Sequence, residues 1–442
     1  MPVGHPAGDL APVLDARLQR GVDAPLIVAV SGGGDSLALL LMTAAWAAAA
    51  GRRLIAATVD HRLQAAGADW TRWCAQRAAA LGLAHRSLAW DGEKPAAGLP
   101  AAARRARHAL LAELARREGA GVVMMGHTAD DGLEAAAMRA AGSTTPSPRE
   151  WAPSPAWPEG RGVFVLRPLL AWRRADLRAW LSAGGETWID DPANADPRFA
   201  RARARAALSG CGARSPIKRP SPLAGEGGPR SGSDEGWVDP GADFPTLALS
   251  DREDGALVFR RGTLDRHSLA AAVLSASGGV RPPPGAAVDR LAARLAKGEA
   301  FVASLAGARL MAADDRIVIA REAGEFRRRG APVLALPAGE TRIWDGRFAL
   351  TAAGPDLVAR PLGGLATRLS AQETKALQAV PAAARAALPA VVDGEGQVSC
   401  PILAQAGSVG AESLVAARFL AAVGAIPDEE TLWRVAKADR TS

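Results

Sequence analysis

Short apolar runs alternate with longer segments rich in alanine and leucine over residues 26–200. The short runs are almost wholly apolar, which is typical of strands buried on both faces of a parallel sheet. They are LIVAV (26–30), LIAATV (54–59) and GVVMMG (121–126). The longer segments have the length of helices and cover residues 37–50, 69–82 and 101–118. This alternation predicts an α/β fold with a doubly wound parallel sheet.

The pattern changes in the remainder of the chain. Ser, Thr, Pro and Gly dominate residues 142–162, which we interpret as a long loop. Residues 209–243 form a second tract of this kind, with too little apolar surface to offset the entropy of ordering it. Beyond it, the sequence predicts helices over 263–300 and 410–423 and short strands over 305–322 and 331–360.

The first predicted strand runs directly into the sequence SGGGDS at residues 31–36. Glycine inside a regular element costs roughly 0.5–1 kcal/mol relative to alanine, so three in succession indicate a need for bare backbone. A tight glycine turn before a helix presents unpaired N–H groups and a positive dipole end to an anion. The sequence therefore predicts a phosphate-binding loop. The groups expected to bind the phosphate are the backbone N–H and hydroxyl groups of Ser31, Gly32, Gly33, Gly34 and Ser36.

Two common phosphate motifs do not fit this loop. A Walker loop requires a lysine after the glycines, and a dinucleotide fingerprint requires a glycine where Leu37 stands. The pattern S-G-G-x-D-S instead resembles the signature of the PP-loop ATP pyrophosphatases, which split ATP between its α and β phosphates. The resemblance implies an adenine nucleotide alpha hydrolase-like fold. It also implies that Asp35 positions the phosphates or a Mg²⁺ ion.

Four further blocks resemble one PP-loop family, the tRNA(Ile)-lysidine synthases. They are V-D-H at 59–61, A-R-R-A-R-H at 103–108, G-H-T-A-D-D-x-x-E at 126–134 and the Trp- and Arg-containing stretch 188–203. His108 stands where the family pattern has an aromatic residue. The resemblance implies an ATP-dependent ligase that adenylates the wobble cytidine of a tRNA(Ile) with a CAU anticodon. Free lysine is then attached to that cytidine, and AMP and pyrophosphate are released. A homodimer is a possible assembly.

The resemblance also implies roles for an acidic group, Asp130, Asp131 and Glu134, that follows the third predicted strand. These carboxylates are expected to hold the cationic lysine, a magnesium ion or both, since oxygen ligands suit Mg²⁺. The expected metal ligands are Asp35 and Asp131. A helix cap supplied by Thr128 or Asp130 is the structural alternative for the same stretch.

Four other residues receive expected roles from the matching blocks. Asp60 is expected to meet the nucleoside part of ATP, or else to be a plain polar residue at a strand end. Arg104 and Arg107 are expected to neutralise phosphates of ATP or tRNA, or else to lie on a solvated helix face. His127 is either an acid–base group or a turn residue. The expected catalytic residues are therefore Asp35, His127, Asp130 and Asp131.

Charge and cysteine content fit this interpretation without deciding it. The formal net charge is +7 and the pI about 10.1, which favours a polyanionic partner, although a general arginine bias explains the same excess. Cys74, Cys211 and Cys400 lie far apart, which excludes a disulfide framework or cysteine zinc cluster. The longest apolar run, 37–50, is too short for a membrane span. We therefore expect a cytoplasmic protein without a membrane partner.

Two alternative functions remain at this stage. A PP-loop tRNA thiolase needs paired or activated cysteines, which the scattered ones here do not supply. A catalytically silent tRNA-binding homologue is disfavoured by the intact loop at 31–36. The expected domains are a catalytic domain (1–208), a linker or insertion (209–243), a mostly helical tRNA-binding middle domain (244–325) and a smaller α+β accessory domain (326–442).

Overall fold

The chain folds into two compact units. The computed structural model describes residues 10–143, 145–191, 196, 200–210, 254–404 and 408–441. The first unit comprises the described residues up to 210 together with Pro427–Ala436, and the second comprises the described residues of 254–426 together with 437–441. Most of the predicted tract 209–243 lies outside the described residues. The four-part domain division stays a prediction.

A six-stranded sheet, counted over the described residues, forms the centre of the first unit. Its strands are β1 (Leu26–Ala29), β2 (Leu54–Asp60), β3 (Ala84–Ala89), β4 (Val122–Met125), β5 (Trp151–Pro153) and β6 (Phe164–Leu166). The order is β3-β2-β1-β4-β6-β5, and all neighbours are parallel except β5 and β6. The predicted doubly wound parallel sheet and its three predicted strands are confirmed.

Seven helices are described in the first unit before residue 211. They are α1 (Ala11–Asp15), α2 (Gly34–Ala50), α3 (Gly67–Ala80), α4 (Leu99–Arg117), α5 (Ala129–Ala140), α6 (Arg174–Ala183) and α7 (Ala200–Gly210). Of these, α2, α3 and α4 join successive parallel strands. The three helices predicted from the apolar pattern correspond to α2, α3 and α4. Helices α6 and α7 were not predicted. Over the described parts of the chain, none of the helices combines the length and the apolar character needed to cross a membrane.

The side chains of β1 enter the core on both faces of the sheet. Leu26 and Val28 belong to the cluster that includes α2, and Ile27 belongs to the cluster that includes α4. All three are fully buried. Burying a side chain of this size stabilises the fold by about 1.5–3 kcal/mol. Strand β1 is therefore a firmly held base for the loop that follows it.

Strand β5 corrects the prediction that 142–162 is entirely loop. Trp151 pairs with Leu166 in an antiparallel ladder, and its ring stacks on Phe164 with ring centroids 4.9 Å apart. The strand is three residues long and lies at the edge of the sheet, where a proline such as Pro153 is tolerated. A strand so short gives no alternating pattern that a sequence reading can detect.

The second unit begins with a four-stranded antiparallel sheet within the described residues 254–321. Its elements are β7 (Leu257–Arg260), α8 (Arg266–Ser277), α9 (Gly285–Ala296), β8 (Phe301–Leu305), β9 (Ala308–Ala313) and β10 (Arg316–Arg321). The predicted helices over 263–300 are confirmed as α8 and α9. The structure corrects the expectation of a mostly helical middle region. Strands β7 and β8 are the two edges of the sheet and too short to show a pattern.

Two more antiparallel sheets complete this unit, as far as the chain is described. The remaining elements are α10 (Gly324–Arg329), β11 (Leu334–Leu336), β12 (Thr341–Trp344), β13 (Phe348–Ala352), β14 (Leu357–Pro361), α11 (Ala371–Ala379), α12 (Ala382–Arg385), β15 (Pro389–Val392), β16 (Val398–Ser399), β17 (Val409–Ser413) and α13 (Val415–Val423). The sheet orders are β11-β14-β15-β16 and β12-β13-β17. The strands predicted over 331–360 are confirmed. The helix predicted over 410–423 begins later, because Val409–Ser413 pairs with β13.

A segment from late in the sequence belongs to the first unit. Helix α14 (Glu429–Thr441) begins with Glu429, whose buried carboxylate forms a forked ion pair with Arg52. The Nη1–Oε2 and Nη2–Oε1 distances are both 2.9 Å. The Gln19 backbone N–H donates to Glu429 Oε2 at 2.9 Å. The pattern of the sequence did not distinguish this segment from the residues before it.

Candidate active site

The glycine loop, residues 31–34, connects β1 to α2 at the carboxyl edge of the sheet. Gly32 has a φ of +84°, and a Cβ atom on it would lie 2.5 Å from Ile189 Cδ1. Gly126, just after β4, approaches the same turn, since its Cβ atom would lie 2.9 Å from the Asp35 carbonyl oxygen. Both positions therefore require glycine, one for its backbone angle and both for the close packing around the loop.

Hydrogen bonds within the loop fix its shape. The Ser36 hydroxyl donates to the Gly33 carbonyl at 2.8 Å and accepts from the Ser31 N–H at 3.1 Å. The N–H groups of Gly34 and Asp35 belong to the first turn of α2, so they have no acceptor within that helix. The arrangement presents backbone donors and the positive end of a helix dipole to the space above the sheet. This is the geometry of a phosphate site.

Arg174, the first residue of α6, lies among three carboxylates. Its Nε is 2.8 Å from Asp35 Oδ2, its Nη1 is 3.1 Å from Glu134 Oε1, and its Nη2 is 3.4 Å from Asp131 Oδ2. Burial alone would lower the pKa of Arg174, but the bond to Asp35 and the surrounding negative charges raise it. Burial raises the pKa of Asp35, and Arg174 partly offsets that effect.

Two arginines of α7 contact the same carboxylates. Arg205 Nε lies 2.8 Å from Glu134 Oε1, and Arg201 Nε lies 3.5 Å from Glu134 Oε2. Arg201 Nη1 is also 3.8 Å from Asp131 Oδ1. Only 2% of the Glu134 side chain is exposed, so these contacts keep a buried charge compensated.

Thr128 supplies the helix cap that was the structural alternative, together with Asp131, whereas Asp130 contacts the start of α6 instead. Asp130 Oδ2 accepts the Arg174 backbone N–H at 2.8 Å, and its Oδ1 pairs with Arg173 Nη2 at 2.9 Å. Asp131 Oδ2 accepts from the Thr128 N–H at 2.9 Å and closes a capping box at the start of α5. Asp131 also lines the cleft, whereas Asp130 holds the start of α6.

A basic group forms another part of the site. Arg107 is half-buried, and burial together with the charge of Arg104 lowers the pKa of Arg107 to about 10. Arg167 is 5% exposed, and burial and Arg104 lower its pKa to about 10 as well. Burial and the charges of Arg167 and Arg107 hold the pKa of His127 well below its usual value. His127 is therefore neutral near pH 7, and its Nδ1 has no hydrogen-bond partner among the described residues.

These groups surround a cleft of about 1170 Å³ in the first unit. The predicted site residues that line it are Ser31, Gly33, Gly34, Asp35, Ser36, Asp60, Arg107, His127 and Asp131. The predicted residues outside the lining are Gly32, Arg104, Asp130 and Glu134. Asp60 lies at the end of β2, and its Oδ1 accepts the Arg62 N–H at 2.8 Å. Glu134 does not line the cleft itself, but it forms ion pairs with Arg174 and Arg205, which do.

Arg174 and Arg178 were not among the predicted site residues. Both lie on α6, and both line the cleft. Arg178 Nη2 lies 2.7 Å from Asp190 Oδ1. The sequence pattern that could have predicted helix α6 is the spacing of Leu177 and Leu181, which are both buried and lie one helical turn apart. In the predicted block at 188–203, residues 192–195 and 197–199 lie outside the described residues.

Comparisons with known proteins bear on both units. Residues 12–210 match the family of PP-loop domains. The chain is 45% identical over 422 residues to the tRNA(Ile)-lysidine synthase of Caulobacter vibrioides, covering 94% of this chain and 97% of that protein. It is 36% identical over 385 residues to the enzyme of the same name from Mesorhizobium japonicum, covering 81% and 80% of the two chains. The corresponding values for the Rhizobium meliloti enzyme are 35% over 354 residues, with 75% and 74% covered.

Proposed function

The chain belongs to the tRNA(Ile)-lysidine synthase family, and from that premise we propose how its cleft performs the reaction. The protein is an ATP-dependent ligase that modifies tRNA(Ile). In the proposed first step, the C2 oxygen of the wobble cytidine attacks the α-phosphorus of ATP and pyrophosphate leaves. In the second step, the lysine ε-amine attacks C2 and AMP leaves. The observation that carries the proposal is one cleft lined by the α2 N-terminus, by carboxylates that include Asp35, Asp60 and Asp131, and by arginines that include Arg107.

The glycine loop is the proposed site of the ATP triphosphate. The N–H groups of Gly34 and Asp35 point out of the first turn of α2, and the hydroxyls of Ser31 and Ser36 lie 3.2 Å apart beside them. Negative charge develops on the departing pyrophosphate, and fixed dipoles stabilise such charge without reorganising during the step. Asp60, at the end of the neighbouring strand β2, is proposed to meet the nucleoside part of ATP.

Asp35 fits a role in holding Mg²⁺ with the nucleotide. Its Oδ1 atom is buried and has no hydrogen-bond partner among the described residues, so it is an available oxygen ligand. Mg²⁺ commonly takes one or two protein carboxylates together with phosphate oxygens and water. We propose Asp35 and Asp131 as these carboxylates. The ion would neutralise charge on the phosphates during pyrophosphate release.

Asp131 and Glu134 are proposed to provide the negative charge that attracts lysine. Both lie on α5, with the Asp131 carboxylate at the cleft and the Glu134 carboxylate reached through arginine contacts. The lysine side chain carries a positive charge, and a carboxylate attracts such a charge more strongly where little water lies between them. Asp130 is proposed as a positioning residue, because its contacts are with Arg173 and Arg174 at the start of α6.

The basic group is proposed to contact phosphates of tRNA or ATP. Arg107 lines the cleft, and Arg104 precedes it by three residues on α4, so both lie near one helix face. The burial and the arginine charges that keep His127 neutral also make its imidazole a weak base, so an acid–base role for His127 stays a prediction. A second-unit contact with the body of the tRNA, a cytoplasmic location and a homodimer stay predictions.

A labelling experiment tests the proposed function. The full chain is incubated with ATP, Mg²⁺, radiolabelled lysine and a tRNA(Ile) transcript with a CAU anticodon. We expect the label at the wobble nucleotide and release of one pyrophosphate for each lysine incorporated. A transcript with uridine at the wobble position is the matched control and should remain unlabelled. Pyrophosphate release without lysine incorporation would contradict the second step, and its absence would contradict the first.

A further inference from the structure

Arg174 occupies the centre of the carboxylate group that the proposed function assigns to cations. Each of its three guanidinium nitrogens faces a different carboxylate, namely Asp35, Glu134 and Asp131, at 2.8, 3.1 and 3.4 Å. With Mg²⁺ on Asp35 and Asp131, as proposed, an incoming ammonium group needs the Glu134 oxygen that Arg174 Nη1 contacts in the free enzyme, and it has the same charge as the guanidinium. The side chain of Arg174 and an incoming amine therefore compete for one position.

We propose that Arg174 is a displaceable internal counter-ion, which fills the amine position in the free enzyme and leaves it when ATP binds. Nucleotide binding thereby opens the position for lysine. The inference rests on the proposed function, because it takes the ATP and lysine sites from it. Arg174 acts here as a positioning residue, since its effect on the reaction passes through Asp35, Asp131 and Glu134.

The position of Arg174 is the reason for proposing that ATP draws it away. The Arg174–Asp35 contact places the guanidinium beside the first turn of α2, where the triphosphate is proposed to bind. Arginine forms forked hydrogen bonds with phosphate, and phosphate carries more negative charge than a carboxylate. The Arg174 backbone N–H is anchored on Asp130 at 2.8 Å, so the side chain can turn while the start of α6 remains in place.

The carboxylates can tolerate the loss of Arg174. Glu134 is the most buried of them, and it keeps Arg205 at 2.8 Å and Arg201 at 3.5 Å. Asp131 retains its hydrogen bonds from Thr128 in the capping box. Glu134 and Asp131 are therefore not left without a partner when the guanidinium leaves, whereas Asp35, whose side chain is 19% exposed, loses its ion pair with Arg174 and keeps the charge of Arg178 nearby. The same reasoning indicates that a variant lacking the guanidinium still folds.

Displacement of Arg174 couples the binding of ATP to the binding of lysine. If the amine position is open in about a tenth of the free molecules, lysine binds the free enzyme about tenfold more weakly than it binds the open form. ATP then strengthens lysine binding by about the same factor, and lysine strengthens ATP binding equally. This coupling is a property of Arg174, so removing the guanidinium should abolish it.

Equilibrium dialysis of labelled lysine against the full chain tests the proposal. Lysine dissociation constants are measured with and without the α,β-methylene analogue of ATP and Mg²⁺, without tRNA. For the natural sequence, we expect the analogue to tighten lysine binding about tenfold. For Arg174→Met, we expect tight binding without the analogue and no further gain with it. The proposal would be overturned if, without the analogue, Arg174→Met bound lysine as weakly as the natural sequence or more weakly. Lysine binding by Arg174→Met that is too weak to detect counts as weaker binding.

Two further variants separate displacement from other effects. Arg178→Met removes a cleft-lining arginine one turn along α6 that pairs with Asp190, and it should retain the coupling. Equal loss of coupling in this variant would show that general electrostatics, and not displacement, is responsible. Arg174→Lys keeps the charge without the fork, and we expect an intermediate coupling, whereas none at all would overturn the proposal. A natural chain that labels tRNA but shows no coupling refutes this inference alone, while one that labels no tRNA refutes the proposed function.

Discussion

At the scale of single residues, Asp35 carries the most specific chemical assignment in the cleft. We predict that Asp35→Ala lowers tRNA-dependent pyrophosphate release by about 10²–10³-fold, the usual effect of removing one group that stabilises transition-state charge. Affinity for tRNA should change little, because the side chain is proposed to meet nucleotide phosphates and not RNA. Pyrophosphate assays and filter binding measure the two quantities.

An aspartate outside the site provides the control for this prediction. Asp69 is on α3, and its side chain is 68% exposed beside Arg72. Asp69→Ala should leave both pyrophosphate release and tRNA affinity near their original values. Equal turnover in Asp35→Ala and Asp69→Ala would contradict the role assigned to Asp35.

His108 links the basic group to the pH dependence of stability. It is 3% exposed, and burial followed by the charge of Arg107 lowers its pKa to about 2. The unfolded chain takes up this proton near pH 6.5 and the folded chain does not, so stability is lost as the pH falls below about 6.5. From pH 6.5 to pH 5, one such histidine removes about 2 kcal/mol. We predict that His108→Phe reduces the loss by about this amount, measured by urea unfolding at pH 7.5 and pH 5.

The matched control for this experiment replaces an exposed histidine. His267 lies on α8 in the second unit and is exposed. His267→Gln should lose as much stability between the two pH values as the natural sequence does. If His108→Phe showed that same loss, the buried imidazole would not be the group that resists protonation.

At the scale of elements, the approach of β4 to the start of α2 determines the position of the glycine loop. A Cβ atom on Gly126 would lie 2.9 Å from the Asp35 carbonyl oxygen and 3.1 Å from Ser36 Cα. We predict that Gly126→Ala lowers the free energy of unfolding by about 1–3 kcal/mol, the usual effect of overpacking, and weakens ATP binding. Urea unfolding and calorimetry with ATP measure the two effects.

Gly132 is the matched glycine for this test. It lies inside α5, and a Cβ atom there would have no neighbour within 4 Å. Gly132→Ala should therefore stabilise the fold by up to about 1 kcal/mol, because alanine favours helices. A Gly126→Ala variant that loses stability but binds ATP normally would show that the loop tolerates movement of α2.

The elements that the sequence predicted are those whose burial leaves a local pattern. Strands β1, β2 and β4 are central, so both of their faces require apolar residues. Strand β3 was missed because it is an outer strand with the sequence AHRSLA, in which Ala84, Arg86 and Ser87 are exposed. Strand β6 is three residues long and β5 is equally short, so neither has room for a recognisable alternation.

Some parts of the site could likewise be predicted from the sequence and others could not. The loop at 31–36 could be predicted because its ligands are consecutive in the chain. The placement of Arg174 could not, because it depends on α6 approaching Asp35, which lies 139 positions earlier. The different surroundings of Asp130 and Asp131 were equally hidden, since adjacent residues at a helix start point in different directions.

At the scale of the whole molecule, the first unit includes a segment that follows the second unit in sequence. The side chains of Arg52 and Glu429 are both 0% exposed. Breaking a buried ion pair by removing one partner costs about 3–5 kcal/mol, because the other charge remains buried. We predict that Glu429→Ala lowers the free energy of unfolding of the first unit by about this amount, measured by hydrogen exchange of the β1 and β2 amides.

A double variant distinguishes the ion pair from simple packing. Arg52→Met combined with Glu429→Met leaves no buried charge without a partner, so it should lose less stability than Glu429→Ala alone. Equal or greater loss in the double variant would mean that the packing of α14 stabilises this segment and the charges do not.

The Arg52–Glu429 pair can form only late in the synthesis of the chain on the ribosome. The two residues are 377 positions apart. At a translation rate of roughly 5–20 residues per second, Glu429 is synthesised roughly 20–75 s after Arg52. During that interval the nascent catalytic unit has an arginine without its carboxylate and lacks a surface-covering helix. Chaperones that recognise incomplete domains should therefore associate with this enzyme mainly before translation ends.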